Sequence, residues 1–201
     1  NHKKTKRNYL QRMVNEKVFC MHVSKKYGKD YWDGDRKFGY GGYKYIPGRW
    51  KGVAQKLIKY YKLKSGSKIL DVGCGKGFLL HEMIKIQPKL KIYGFDISAY
   101  AIKKSIKDKR INLYKHDARK KISFDNKFFD LTISINTLHN LQAFDLYNSI
   151  KEISRVSKKS FICVESYRND REQFNLQCWA LTCQSFYNED EWKWLFKKYN
   201  Y

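Results

Sequence analysis

Apolar residues recur along this chain in two alternating rhythms from residue 51 onward. Val53, Leu57, Ile58 and Tyr61 share one stripe and predict a helix over 51–62. The short apolar run Ile69, Leu70, Val72 then reads as the end of a strand buried on both faces. Phe78, Leu79, Leu80, Met83 and Ile84 return to helical spacing. A second strand is predicted over Lys91–Ile97, followed by a helix that Ser98 can cap, with Ile102 and Ile106 on one face. Further strands are predicted over Ile111–Lys115, Phe128–Ile135 and Ser160–Glu165. The fourth is followed by a helix over Phe144–Val156, carried by Leu146, Ile150, Ile153 and Val156. A last helix is expected around Glu189–Lys198. The core thus runs strand–helix three times before its fourth strand, which implies an α/β fold with a doubly wound, mainly parallel sheet. The 201 residues suit a single domain, with 1–50 as an N-terminal lid or cap segment and 51–201 as the core.

Residues 69–77, Ile-Leu-Asp-Val-Gly-Cys-Gly-Lys-Gly, join the first strand to the next helix through a glycine turn. Such a turn at a helix N-terminus presents backbone N–H groups to an anionic ligand. The dinucleotide fingerprint G-x-G-x-x-G needs glycine at its last position, and Phe78 stands there instead. Asp71, just before the turn, would repel a pyrophosphate and suits a ligand that carries an ammonium group. S-adenosylmethionine (SAM) has that ammonium, one carboxylate for the amides, and no phosphate. Asp96 closes the second strand about 20 residues beyond Gly75, the spacing at which an acid reaches ribose hydroxyls. Asp117, after the third strand, can accept a hydrogen bond from an adenine amino group.

With these residues the chain resembles the class I SAM-dependent methyltransferase family, over about residues 50–198. The family's motifs stand here as Asp71-Val72-Gly73-Cys74-Gly75-Lys76-Gly77, Asp96, Asp117-Ala118 and the strand Phe129–Ile135. The resemblance implies a Rossmann-like sheet and a cofactor site of Asp71, Gly73, Gly75, Asp96, Ile97, Asp117, Ala118 and Asn136. SAM is then the methyl donor and S-adenosylhomocysteine the product. It also implies two closing strands, the last antiparallel, which the residues after Glu165 do not supply. Five strands are therefore expected, as in a chain whose C-terminal hairpin is truncated, with an exposed or partner-covered edge.

Composition adds little that is specific. The net charge of +23 invites a nucleic-acid reading, yet the lysines are scattered and the densest cluster, Lys3–Arg7, is terminal. Five cysteines without C-x-x-C spacing read as free thiols rather than as disulfides or a zinc site. No apolar run approaches the roughly 18 residues of a membrane span. No signal-peptide pattern opens the chain, so a cytoplasmic location is expected.

The acceptor must be read from the segments that flank the core. Gly39-Tyr40-Gly41-Gly42-Tyr43-Lys44-Tyr45 and Trp50 form a glycine–aromatic segment able to cross the carboxyl ends of the strands. Its rings either cover the cofactor, whose sulfonium they attract, or merely pack the segment on the core. Arg36, Arg49 and Arg168, with Tyr43, are candidate ligands for a small anionic substrate; alternatively each arginine is a surface ion-pair partner. His139 is the candidate general base for a hydroxyl acceptor, or else a packing histidine. The Tyr31–Arg36 stretch, the Gly-Tyr segment and 173–185 also resemble a bacterial methyltransferase branch associated with capsule and surface-polysaccharide biosynthesis. That branch implies O-methylation of a phosphorylated, phosphoramidate or sugar-type metabolite. RNA methylation and a non-catalytic SAM-binding subunit stand as the competing readings.

Overall fold

The computed structural model describes residues 8–14 and 16–201, apart from the side chain of Tyr9; the basic Lys3–Arg7 cluster lies outside them. In chain order the helices are α1 (Tyr9–Val14), α2 (Lys17–Ser24), α3 (Lys29–Asp33), α4 (Lys51–Tyr60), α5 (Phe78–Ile86) and α6 (Ala99–Lys103), then α7 (Ala143–Val156), α8 (Asp170–Trp179) and α9 (Glu189–Lys198). The strands are β1 (Lys68–Val72), β2 (Lys91–Asp96), β3 (Ile111–Lys115), β4 (Leu131–Ile135) and β5 (Ser160–Cys163). They form one sheet in the order β3-β2-β1-β4-β5, with every pair parallel. The chain leaves β1 toward β2 on one side and later returns to β4 on the other. Ligands of open α/β sheets bind at such a reversal, outside the carboxyl ends of the strands.

Side-chain alternation along β1 divides the core. Ile69 packs with Ala54 and Leu57 of α4 and with Leu79, Leu80, Met83 and Ile84 of α5. Leu70 and Val72 pack with Leu146, Ile150 and Ile153 of α7 and with Trp192 and Leu195 of α9. Each fully buried Leu or Ile stabilises the fold by about 1.5–3 kcal/mol relative to exposure. Both faces of β1 are therefore covered, and only its carboxyl end remains open to a ligand.

The structure departs from the sequence expectation at four places. No helix joins β3 to β4 among the described residues, so strand–helix occurs twice before β4, not three times. Side chains of α7 satisfy the connecting backbone instead: Ile122 N–H donates to Glu152 (2.8 Å), and Arg155 donates to the carbonyls of Phe124 (2.8 Å) and Ile122 (2.7 Å). Helix α6 begins at the Ser98 cap but stops at Lys103. Ile106 lies beyond it and donates its N–H to the Lys76 carbonyl at 3.0 Å, against the glycine turn. β4 and β5 are shorter than predicted, Phe129 pairing with Ser157 only as an isolated bridge. Helices α1, α2, α3 and α8 were not anticipated, since none carries a long apolar stripe.

Candidate active site

The glycine turn is docked onto the end of β2. Gly73 and Cys74 both donate their N–H to the Phe95 carbonyl, at 2.8 and 3.0 Å. Gly75 N–H donates to Asp96 Oδ2 at 2.9 Å, and Ser98 N–H to Oδ1 at 2.8 Å. Gly73, Gly75 and Gly77 take φ values of 79°, 56° and 78°, a region that other residues adopt only with strain. Space is equally restricted, because a Cβ on Gly73 would lie 2.1 Å from Thr137 Oγ1 and one on Gly77 2.7 Å from Leu113. The G-x-G-x-G spacing is thus a steric requirement of this particular docking.

Two buried carboxylates face the turn. Asp71 is 5% and Asp96 7% exposed. Burial, and then the charge of Asp96, push the Asp71 carboxyl up to about 7. Burial also raises Asp96, against the opposing hydrogen bonds from Ser98 and Gly75. Lys76, the cation of the turn, is committed elsewhere. The pair therefore fits a positively charged ligand such as the ammonium of SAM.

A pH dependence follows. The folded value of Asp71 lies above its unfolded value, so raising pH from the ordinary carboxylate range toward 7 removes stability, and a bound cation restores it. If Asp71 receives the ammonium, SAM affinity should rise about fivefold between about pH 6 and pH 7, as the free protein's Asp71 ionises. It should fall again above about pH 8 as the ammonium itself loses its proton. Asp71→Asn should flatten this profile in calorimetric titrations.

The N-terminal aromatic segment closes over the same place. Trp32 of α3 is 5% exposed, and its ring would lie 3.1 Å from a Cβ on Gly75. Its indole N–H donates to Ser98 Oγ at 2.9 Å. The chain then returns along α3: Tyr40 N–H donates to the Tyr31 carbonyl (2.9 Å), and Gly42 and Tyr43 N–H to that of Trp32 (3.0 Å each). Gly39 permits this return, since a Cβ there would be 2.2 Å from the Tyr31 carbonyl oxygen. Tyr40 stacks on Trp32 with centroids 5.2 Å apart, and Tyr43 stacks on Phe78 at 5.1 Å. Burial raises the hydroxyls of Tyr27 and Tyr31 above their ordinary range. The rings pack over the glycine turn and the first residue of α5.

The remaining sequence-predicted residues divide. Ile97 follows Asp96 and is 39% exposed, open to a ligand's flat face. Asp117 stands at the end of β3 with its carboxylate held by Arg119 (3.0 and 2.6 Å), which keeps its carboxyl below the ordinary value despite partial burial. The Ala118 carbonyl accepts from Ser149 Oγ at 2.7 Å. Asn136 is exposed beyond β4, with φ 54° and its N–H donated to the Cys163 carbonyl.

Two of the three arginines have partners of their own. Arg36 lies over the Trp179 ring, 4.8 Å from its centroid, while Arg168 pairs with Glu172 on the exposed start of α8. Arg49 is exposed at the approach to α4.

His139 also differs from its expected role. It is 5% exposed, its Nδ1 accepts the Glu165 N–H at 3.3 Å, and burial lowers its pKa to about 4. Its carbonyl accepts from Gln184 and Ser185 N–H, both at 3.0 Å. A neutral ring that spends its acceptor nitrogen on backbone anchors the ends of β4 and β5 and offers no lone pair to a substrate proton. Lys76, Trp32, Asp33 and Tyr100 were missed as site residues. Only the neighbouring Trp32-Asp33 in an aromatic segment hinted at them, and nothing in the sequence links them to Lys76.

Known proteins place this geometry. A family described as "Methyltransferase domain" matches residues 63–200. A sequence search of curated proteins found no significant match. Among solved structures, a Bacillus halodurans methyltransferase is similar with a TM-score of 0.60 at 16% identity, over 74% of this chain and 68% of that one. A Haloferax volcanii methyltransferase, solved with the activator Trm112, gives 0.59 at 18% identity, over 76% and 72%. A Haemonchus contortus phosphoethanolamine N-methyltransferase, solved with phosphomonomethylethanolamine and S-adenosylhomocysteine, gives 0.60 at 18%, over 96% of this chain but 44% of that one. At these identities the likeness is one of fold. The family match, together with a Rossmann-like sheet whose glycine turn meets a strand-end acid, makes this chain a member of the SAM-dependent methyltransferase domain family.

Proposed function

We propose that the protein transfers the methyl group of SAM to a small-molecule acceptor held beneath the aromatic lid. The observation that carries this is the roof itself: Trp32, Tyr40 and Tyr43 closed over Gly75 and Phe78. Bound SAM supplies an electrophilic methyl group on a positively charged sulfur. Asp71 and Asp96 would hold the ammonium and ribose ends, with Gly75 N–H and Ser98 N–H fixing the Asp96 carboxylate. The rings exclude water and favour the sulfonium, and the close placement of acceptor and methyl group supplies most of the rate. With His139 spent on backbone, an acceptor that is already a nucleophile at neutral pH suits the site.

The narrower form of this reading is O-methylation of a phosphorylated, phosphoramidate or sugar-type metabolite in surface-polysaccharide biosynthesis. It rests on the sequence resemblance alone. A second reading, RNA methylation, draws on the net charge of +23. Methyl-labelled SAM incubated with the protein and separate pools of sugar phosphates, phosphoramidates, amines and RNA should label a small molecule. Label confined to RNA, or SAM binding without transfer to any pool, would overturn the proposal.

A further inference from the structure

We infer that Lys76 is a positioning residue that latches the N-terminal lid shut, so that SAM reaches its turn only when the Lys76–Asp33 bridge opens. The inference rests on the cofactor reading of the Gly73–Gly77 turn. Lys76 lies inside that turn yet is 5% exposed, an unusual place for a lysine without a fixed partner. Its Nζ donates to both oxygens of Asp33, at 2.8 and 2.7 Å, and to the Tyr43 carbonyl at 2.8 Å. Asp33 also accepts from the Tyr43 N–H at 3.0 Å and the Tyr100 hydroxyl at 2.9 Å. One ammonium and one carboxylate therefore join four chain segments: α3, the segment at Tyr43, the glycine turn and α6.

What the latch covers gives it a consequence. Trp32, immediately before Asp33, lies on Gly75 and is bonded to Ser98, and Asp96 is almost fully covered below it. No ligand can approach the face of Gly75 while Trp32 occupies it. The lid must swing away for SAM and close again around it, which makes cofactor binding precede acceptor binding. Burial opposes the charge of Asp33, but its bonds from Lys76, Tyr100 and the Tyr43 amide outweigh that and hold its carboxyl below the ordinary value. The bridge therefore persists across the neutral range, and ligand arrival rather than pH governs its opening.

The test uses the full chain, with S-adenosylhomocysteine as the probe. Lys76→Met and Asp33→Asn should each speed hydrogen exchange at the Tyr40, Gly42 and Tyr43 amides about tenfold, the scale of a lost charge-assisted bond, and leave β1 amides protected. The association rate of the probe, read by tryptophan fluorescence, should rise by a similar factor, while Lys76→Arg stays near the wild-type rate. Unchanged exchange at those amides in a folded variant overturns the latch, and faster exchange with an unchanged association rate overturns its control of access. Should Lys76→Met not fold, Asp33→Asn reads the same bridge from the lid side. A wild-type protein that fails to bind the probe would instead defeat the cofactor reading, with the exchange comparison still reporting on the latch.

Discussion

Gly73→Ala should destabilise the protein by about 2–5 kcal/mol and remove SAM binding, the largest effect expected of a single methyl group here. Two separate causes add. The residue's φ of 79° costs an L-residue about 1–2 kcal/mol. The new Cβ would also lie 2.1, 2.4 and 2.7 Å from three atoms of Thr137. Neither partner can yield easily, because the Gly73 N–H is fixed to Phe95 and the Thr137 hydroxyl donates to the Ile135 carbonyl at 3.2 Å. Urea unfolding reads the total, and a partial separation of causes is available. Gly73→Ala combined with Thr137→Gly should recover the steric share and keep the backbone strain. A Gly73→Ala protein as stable as the wild type would mean that the turn is not docked in this way.

Asp96→Ala should lower SAM affinity by at least about a hundredfold, as expected when two charge-assisted hydrogen bonds to a ligand are lost. The substitution acts twice, since the carboxylate also accepts from the Gly75 and Ser98 amides and so shapes the turn and caps the approach to α6. Asp96→Asn separates the roles. Its side-chain oxygen can still take one of the two backbone donors, so stability should fall less than for alanine while affinity falls nearly as far. Calorimetric binding of S-adenosylhomocysteine beside a thermal melt distinguishes them, and unchanged binding by Asp96→Ala would remove the ribose assignment. Burial already raises this carboxyl above its ordinary value, so the alanine variant is relieved of a desolvation cost. Its stability loss should therefore be smaller than that of Gly73→Ala.

These two residues show why the cofactor half of the site was legible in the sequence. Gly73 and Asp96 lie at the ends of strands whose apolar runs are continuous and short, and parallel pairing brings such ends together whatever the rest of the chain does. The strands Ile111–Lys115 and the helix Glu189–Lys198 were likewise readable to the residue, since period and capping agree there. The β3–β4 connection was not. Its apolar residues Ile122 and Phe129 are buried and Phe124 half-buried in a loop whose backbone is satisfied from α7, and no local pattern announces a partner 30 residues away. The α1–α3 helices were missed for a related reason. They are short and weakly striped, and packing against one another and against α8, not intrinsic propensity, holds them.

The acceptor half depended on groups distant in sequence. The sequence left each arginine as either a substrate ligand or a surface ion-pair partner; in the folded chain Arg168 pairs with Glu172 and Arg36 lies over Trp179. His139 likewise stood as base or packing residue, and only the structure shows its Nδ1 spent on Glu165. Lys76 reads in the sequence as one lysine among many, yet it forms a buried bridge to Asp33.

The sequence by itself thus determined the parallel α/β core, the glycine turn and its acid partners, because each depends on local periodicity or on a short steric motif. The tertiary structure alone decided which distant charges meet, as Lys76 meets Asp33 across 43 residues. Long side chains reach partners several ångströms from their own backbone, and burial sets the strength of those pairs. Neither property is encoded in the spacing of residues along the chain.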